Sequence, residues 1–543
     1  MLRFCPSEDA VHRERSRVPA HSNEAKILAF ARREAGDLAV ELKVLPEPGD
    51  RYAVERRGAG IRVTGSNARS CLHGVYHALG GRAPGVFRAA FTTRGINTCE
   101  SLARHTPAEL RQLIDRMGKW RLNSLVVHVN YGWKRHRELI VEECAKRGID
   151  LVFYVYTSMA FLPPDAPVRW LATWEDGTPY TQRVECETRL CVSDPEGVEA
   201  FRRGAREFFK TQTGPAARLV AMTGDGYGHC RCPKCRGLNP VEQWQPLLKC
   251  FVDAGSELAP EKELESLVYV QRLRPPADMA LHRRLDGVLF DDHLRNRWRP
   301  LGDEHPIHVK NREAEVDPAA EGVPVNIYLM DRLREWREKF DQRLCVFHNL
   351  QLHGALSCPQ PNTAVLLEDL RRWQRLGVDG VVYEALNGMA YFEEQLRILS
   401  DGLWDPSIPY TATRLERWCS DRCPPGPLFF LKQFDFPWDS FKDQFDDVLR
   451  EHMENIREFY ASSSPENLRR VVQHMYAHAD RIDRLSSSFR FLKMVHAQHP
   501  LTGATAEENR FLASTKPWDF MEPLADPISE TDAVIQSLVS RLK

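Results

Sequence analysis

From Thr92 to about Trp404 the chain alternates short apolar runs with stretches of helical period, a pattern that predicts strands alternating with helices around a parallel sheet. Thr93–Asn97 is a first strand. Thr106-Pro-Ala-Glu109 is a capping box with proline at the first helical position, and Leu110, Leu113, Ile114 and Met117 fall on one face of the helix it opens. Further apolar runs begin at Ser124, Leu151, Leu219, Ser266, Gly287, Leu344 and Gly380. With the first strand they make eight βα units, which predicts a (β/α)8 barrel over residues 87–411. A doubly wound sheet is the alternative, but no Gly-x-Gly-x-x-Gly follows the first strand.

The flanks read differently. Between Asn23 and Gly81 a helix (24–35), three period-two strands near Leu38–Val44, Arg51–Glu55 and Gly60–Gly65, and the amphipathic stretch Ser66–Leu79 predict a small α/β domain over residues 1–86. After Trp404-Asp405-Pro406 the strand pattern stops. Helical periodicity over 441–460, 465–484 and 488–498 predicts a C-terminal helical domain over 412–543. The whole is α/β in class: a TIM barrel with one small domain before it and one after.

Composition narrows the partners. The 543 residues are 43% hydrophobic and 27% charged, the balance of a soluble globular protein. Lys and Arg (74) nearly match Asp and Glu (75), so no basic excess points to nucleic acid. No apolar run approaches the roughly 20 residues of a membrane helix, and the N-terminus lacks a leader's apolar core. Fourteen cysteines without a small-scaffold framework fit a reducing cytoplasm.

Chemistry in such a barrel comes from the C-terminal strand ends. The sequence places Arg94 and Asn97, His128 and Asn130, Tyr154 and Tyr156, Asp225, Tyr269 and Gln271, Asp291 and Asp292, His348 and Asn349, and Glu384 there. Carboxylates interleaved with amide and aromatic groups are what glycoside cleavage needs: one carboxyl to protonate the leaving oxygen, another as base or nucleophile. Each residue also has a plainer role. Asp225, between Gly224 and Gly226, could cap a turn, and Glu384 could pair with an arginine. Asp291 and Asp292 could open a solvated loop. The histidines and tyrosines could be barrel packing.

Cys230-x-Cys232-x-x-Cys235 resembles half of a zinc site, with Cys191, Cys186 or His229 able to complete it. Buried or reactive thiols are the alternative. Three thiolates would leave a zinc ion little Lewis acidity, so the expected metal is structural, and catalysis is expected to use no cofactor.

The segments SCLHGVYHAL, RGIN, LCVSDPEGVEAF, GDGYGHCRCPKC, LVYVQRLRPP, LGVDGVVYEA and GLWDP, in that order, resemble the domain group that contains glycoside hydrolase family 163. The resemblance spans roughly residues 25–410. It implies a catalytic barrel behind a small domain of the kind that precedes hexosaminidase and α-glucuronidase barrels, and activity similar to a β-N-acetylglucosaminidase. It also implies that Asp225 and Glu384 match the acids of the fourth- and eighth-strand motifs. Hexosaminidases that use the substrate's own acetamide need two adjacent acids. Asp225 has glycine neighbours, and Asp291-Asp292 is the sole adjacent pair at an expected strand end. The expectation is therefore a two-carboxylate glycoside hydrolase acting on an N-acetylhexosamine- or uronic-acid-type sugar. Asp225 is the acid and Glu384 the base or nucleophile; Arg94, His128, Asn130, Tyr156, Tyr269, His348 and Asn349 contact an oligosaccharide or glycoside substrate. Cys191, Cys230, Cys232 and Cys235 hold the metal. An inactive carbohydrate-binding barrel and a metal-dependent hydrolase are the competing readings. Linkage and oligomeric state stay open.

Overall fold

The computed structural model describes residues 24–411, apart from 99–101, 103–104, 130–131, 164, 180–189, 223–228, 293–294, 296–298, 305–316, 318–319, 351–361 and 385–388; beyond 411 it describes only positions 451, 455 and 470. The expected C-terminal helices and most of the 412–543 domain therefore lie outside the described residues.

The first sheet has four strands, β1 (Val40–Val44), β2 (Arg51–Arg57), β3 (Gly60–Gly65) and β4 (Gly85–Arg88), in the order β1-β3-β2-β4. Helix Ala68–Leu79 packs on it, and helix Glu24–Glu34 packs against that helix. Asn67 caps helix Ala68–Leu79 by accepting from the Ser70 amide. β4, not foreseen, pairs antiparallel with β2 and carries this sheet across residue 86.

Eight parallel strands close the barrel in sequence order: β5 (Thr93–Asn97), β6 (Ser124–His128), β7 (Asp150–Tyr156), β8 (Arg218–Met222), β9 (Glu263–Val268), β10 (Gly287–Asp291), β11 (Arg343–Asn349) and β12 (Gly380–Glu384). The capping box at Thr106 and Glu109 forms as expected, and Asn239 with Glu242 makes a second. Between β9 and β10 the described connection is 3-10 turns in place of a helix. No described helix is long and apolar enough to cross a membrane.

Strand side chains divide between two cores, because successive residues point to opposite faces. The outer core joins strands to helices and contains Ile96, Val127, Phe153, Val288, Phe290 and Tyr383. The inner one fills the barrel with Val126, Val152, Tyr154, Leu289, Phe347 and Val382. At the N-terminal end the interior is closed by charge. Arg218 donates to Thr93 and Ser124 and lies 3.5 Å from Glu265, whose carboxylate also takes Arg343. Gly287 leaves room for this layer, since a Cβ there would stand 2.9 Å from Glu265 Oε1.

The small domain docks on that same N-terminal end, and one buried carboxylate lies at the centre of the joint. Asp50, just before β2, accepts from Arg94, Arg69, Asn67 and Asn123. Burial alone would raise its carboxyl, but the Arg69 and Arg94 guanidinium groups, helped by the Asn67 hydrogen bond, hold it well below the usual range. Trp404 closes the joint, with the Arg94 and Arg121 guanidinium groups 4.8 Å and 5.0 Å from its ring.

Candidate active site at the C-terminal mouth of the barrel

Alternation decides which strand-end groups reach the interior. Leu289 is interior while Val288 and Phe290 are outer, so Asp291 faces inward. By the same parity Asn349 follows interior Phe347, Glu384 follows interior Val382, His128 follows interior Val126, and Asn97 stands next to outer Ile96. Five polar side chains thus converge inside the mouth from strands β10, β11, β12, β5 and β6, and all are buried.

Register brings them abreast. Glu384 is paired with Asn349 on one side and Asn97 on the other. The Asn349 amide nitrogen stands 3.5 Å from an Asp291 carboxylate oxygen. One strand separates β10 from β12, so their backbones are roughly 9–10 Å apart. The two carboxyls of a glycosidase pair stand about 5–10 Å apart, a range that side chains on strands so placed can span. Buried acids at a strand end are also costly to keep unless a network or a function holds them.

The next wall is aromatic. His128 stacks on Tyr154, ring centres 4.2 Å apart, and meets Tyr156 edge-on at 5.1 Å. The Tyr154 hydroxyl donates to Met222 sulfur at the end of β8. Tyr269 is half-buried against the interior cluster. Burial pushes the His128 imidazole down to about 3, and the negative charge of Glu384 opposes the shift only in part. His128 is therefore neutral at ordinary pH. The unfolded chain takes up this proton near pH 6.5 and the folded one only near 3, so stability falls as pH drops between those values. His128→Gln should flatten the decline in melting temperature between pH 6 and pH 4; an unchanged slope would place the linkage elsewhere.

Two expected sugar contacts are elsewhere. Arg94 is the second residue of β5, not its end, and points outward at the barrel's base. There it donates to Asp50 and to the Phe91 and Arg121 carbonyls. His348 is on the outer parity of β11. Its Nδ1 lies 2.8 Å from Asp292 Oδ2, and Asp292 and Asp369 both take Arg295, a buried charge cluster between strands and helices. Burial lifts the Asp369 carboxyl to about 6, with Arg295 opposing. Asp291 and Asp292 consequently do not form a dyad: one faces the mouth and the other is committed behind the strand.

Asn130 and Asp225 lie outside the described residues, as do residues 223–228 around Asp225. Two members of the inner ring, Asn97 and Asp291, were among the strand-end residues but not among the expected contacts. Counting inward positions from the chain's own alternation would have found them, had the apolar runs shown which parity was interior. Of the expected metal ligands, Cys191, Cys230, Cys232 and Cys235 gather with their sulfur atoms all within 4.8 Å of one another. His229 is not in that group, and Cys186 lies outside the described residues.

No protein-family model and no curated protein sequence matches the chain. Among solved structures it is similar to a GH138 enzyme targeting pectin rhamnogalacturonan II: 11% identity, TM-score 0.46, covering 90% of this chain and 66% of that one, slightly under two thirds. It is similar to a glycoside hydrolase family 20 β-N-acetylglucosaminidase at 15% identity and TM-score 0.45, covering 74% and 89%. It is also similar to the Flavobacterium johnsoniae chitobiase at 12% identity and TM-score 0.43, covering 96% and 94%. These structural neighbours are glycoside hydrolases, and at such identities the likeness is one of fold.

Proposed function

We propose that the protein is a glycoside hydrolase that cleaves a glycosidic bond by two carboxyl groups at the C-terminal mouth of its barrel. The observation that carries this reading is the convergence of Glu384, Asp291, Asn349, Asn97 and His128 on one interior rim. Glu384 acts as base or nucleophile. Asp225, three residues past the end of β8, supplies the general acid. Asp291 is the second inward acid on the described rim and steers Asn349 towards the sugar. Asn97 and Asn349 flank Glu384 and offer amide hydrogen bonds to ring hydroxyls, while Tyr156, Tyr269 and neutral His128 provide flat surfaces for a pyranose. An N-acetylhexosamine or uronic-acid sugar is the proposed substrate class, with β-N-acetylglucosaminide hydrolysis the first activity to assay.

The test is a panel of aryl glycosides and oligosaccharides run on wild type, Asp225→Asn and Asp291→Asn. Loss of about 10²–10⁴ in kcat for Asp225→Asn with the melting temperature preserved supports an acid at that position. Full turnover in Asp225→Asn with loss in Asp291→Asn would transfer the acid's role to β10. A carbohydrate-binding barrel without catalysis would bind sugars yet turn over no member of the panel.

A further inference from the structure

Four cysteines from two separate connections meet outside the barrel's interior. Cys191 lies between β7 and helix Pro195–Thr211; Cys230, Cys232 and Cys235 follow β8. Cys230, Cys235 and Cys191 are buried and Cys232 is half-buried. The Cys191 sulfur is 3.8 Å from that of Cys232 and 3.7 Å from that of Cys235. A disulfide needs about 2.05 Å. Four thiolates at ~2.3 Å around a tetrahedral zinc ion sit about 3.8 Å apart along each edge. The separations match the metal, not a cross-link.

The backbone is set up for the same geometry. The amides of Cys235 and Arg236 both donate to the Cys232 carbonyl at 2.9 Å, folding the three-cysteine segment into a tight knuckle. The buried Gln243 side chain clamps it. Its Oε1 accepts from the Cys230 amide at 2.9 Å, and its Nε2 donates to the carbonyls of Cys230, Leu238 and Cys235 at 2.9, 3.1 and 3.3 Å. The Cys191 amide is tied to Trp170 O and the Arg231 amide to Thr173 O, so both ligand segments hang on one neighbouring strip. Ser193 Oγ stands 2.9 Å from Cys235 Sγ, an outer hydrogen bond of the kind that orients metal ligands.

We infer that Cys191, Cys230, Cys232 and Cys235 form a four-thiolate site for one structural zinc ion. Four sulfur ligands leave no open position, so the ion stabilises and does not catalyse. It joins the β7–β8 connection to the segment after β8. Cys230 is five residues beyond Asp225, so the metal fixes the far end of the stretch that bears the proposed acid. The site itself does not rest on the glycosidase reading.

The measurement is metal content of the full chain purified under reducing conditions, by elemental analysis, with zinc and iron counted together. The expected result is about one zinc per chain, retained through dialysis and released when a mercurial thiol reagent is added. Replacement by Co²⁺ should give the visible bands of a tetrahedral thiolate complex. Cys232→Ser and Cys191→Ser should lower zinc content and drop the melting temperature by roughly 5–10 °C, whereas Cys345→Ser, outside the cluster, should leave zinc content unchanged. Wild-type protein that carries no stoichiometric metal, fails to bind added Zn²⁺ and presents all four thiols to titration would overturn the assignment. Iron at one per chain would overturn the choice of ion, since a four-sulfur tetrahedron also suits iron.

Discussion

Glu384→Gln should lower kcat on any glycoside the protein cleaves by about a thousandfold or more, equivalent to roughly 4 kcal/mol of barrier. The substitution is nearly isosteric and keeps hydrogen-bonding capacity, so the melting temperature should stay within about 2 °C and sugar affinity should persist. Glu384 ends β12 on the interior parity, buried, with Asn349 and Asn97 beside it in register and Asp291 one strand further on. A glutamine there can neither accept the proton of an attacking water nor form a glycosyl ester. Kinetics alongside thermal denaturation check it. Turnover within threefold of wild type would remove Glu384 from the chemistry, and collapse of the fold would mark it as structural.

Asp50→Ala should cost about 3–5 kcal/mol of stability, because it leaves the buried guanidinium of Arg94 without its counter-charge. The melting temperature should fall by about 3–6 °C in a chain of this size. Asp50→Ala removes the common acceptor for Arg94, Arg69, Asn67 and Asn123, loosening the small domain from the barrel's base. The pH dependence has a definite sign. Asp50 is held below its usual range when folded, so its contribution is complete above about pH 4 and is lost as pH falls towards the folded value. The variant should therefore lose part of the wild type's acid sensitivity below pH 4. Equal melting temperatures for the two proteins would show that this joint contributes little.

The barrel was legible because strands buried on both faces appear as apolar runs, and because caps such as Thr106–Glu109 mark helix starts without ambiguity. The same property hid the site. When both faces are apolar, nothing in the pattern says which parity is interior, so Arg94 and His348 look like members of an inward set they do not join. The apolar run at Ser266 begins three residues into β9. Its true start includes Glu263 and Glu265, charged residues that look like breakers until Arg343 and Arg218 neutralise them in the barrel's base. The cysteine cluster was legible as well: spacing singles out Cys230, Cys232 and Cys235 with Cys191 as the expected fourth, and the fold brings the Cys191 loop to theirs.

On the proposed mechanism the Glu384 carboxyl stands against the bond being broken. Chemical rescue tests it most directly: Glu384→Ala assayed on an activated aryl glycoside that wild type cleaves, with and without sodium azide. Azide entering the space left by the carboxyl should raise turnover many-fold and yield a glycosyl azide as product. A variant that folds and binds the glycoside but gives neither acceleration nor azide adduct would contradict the account.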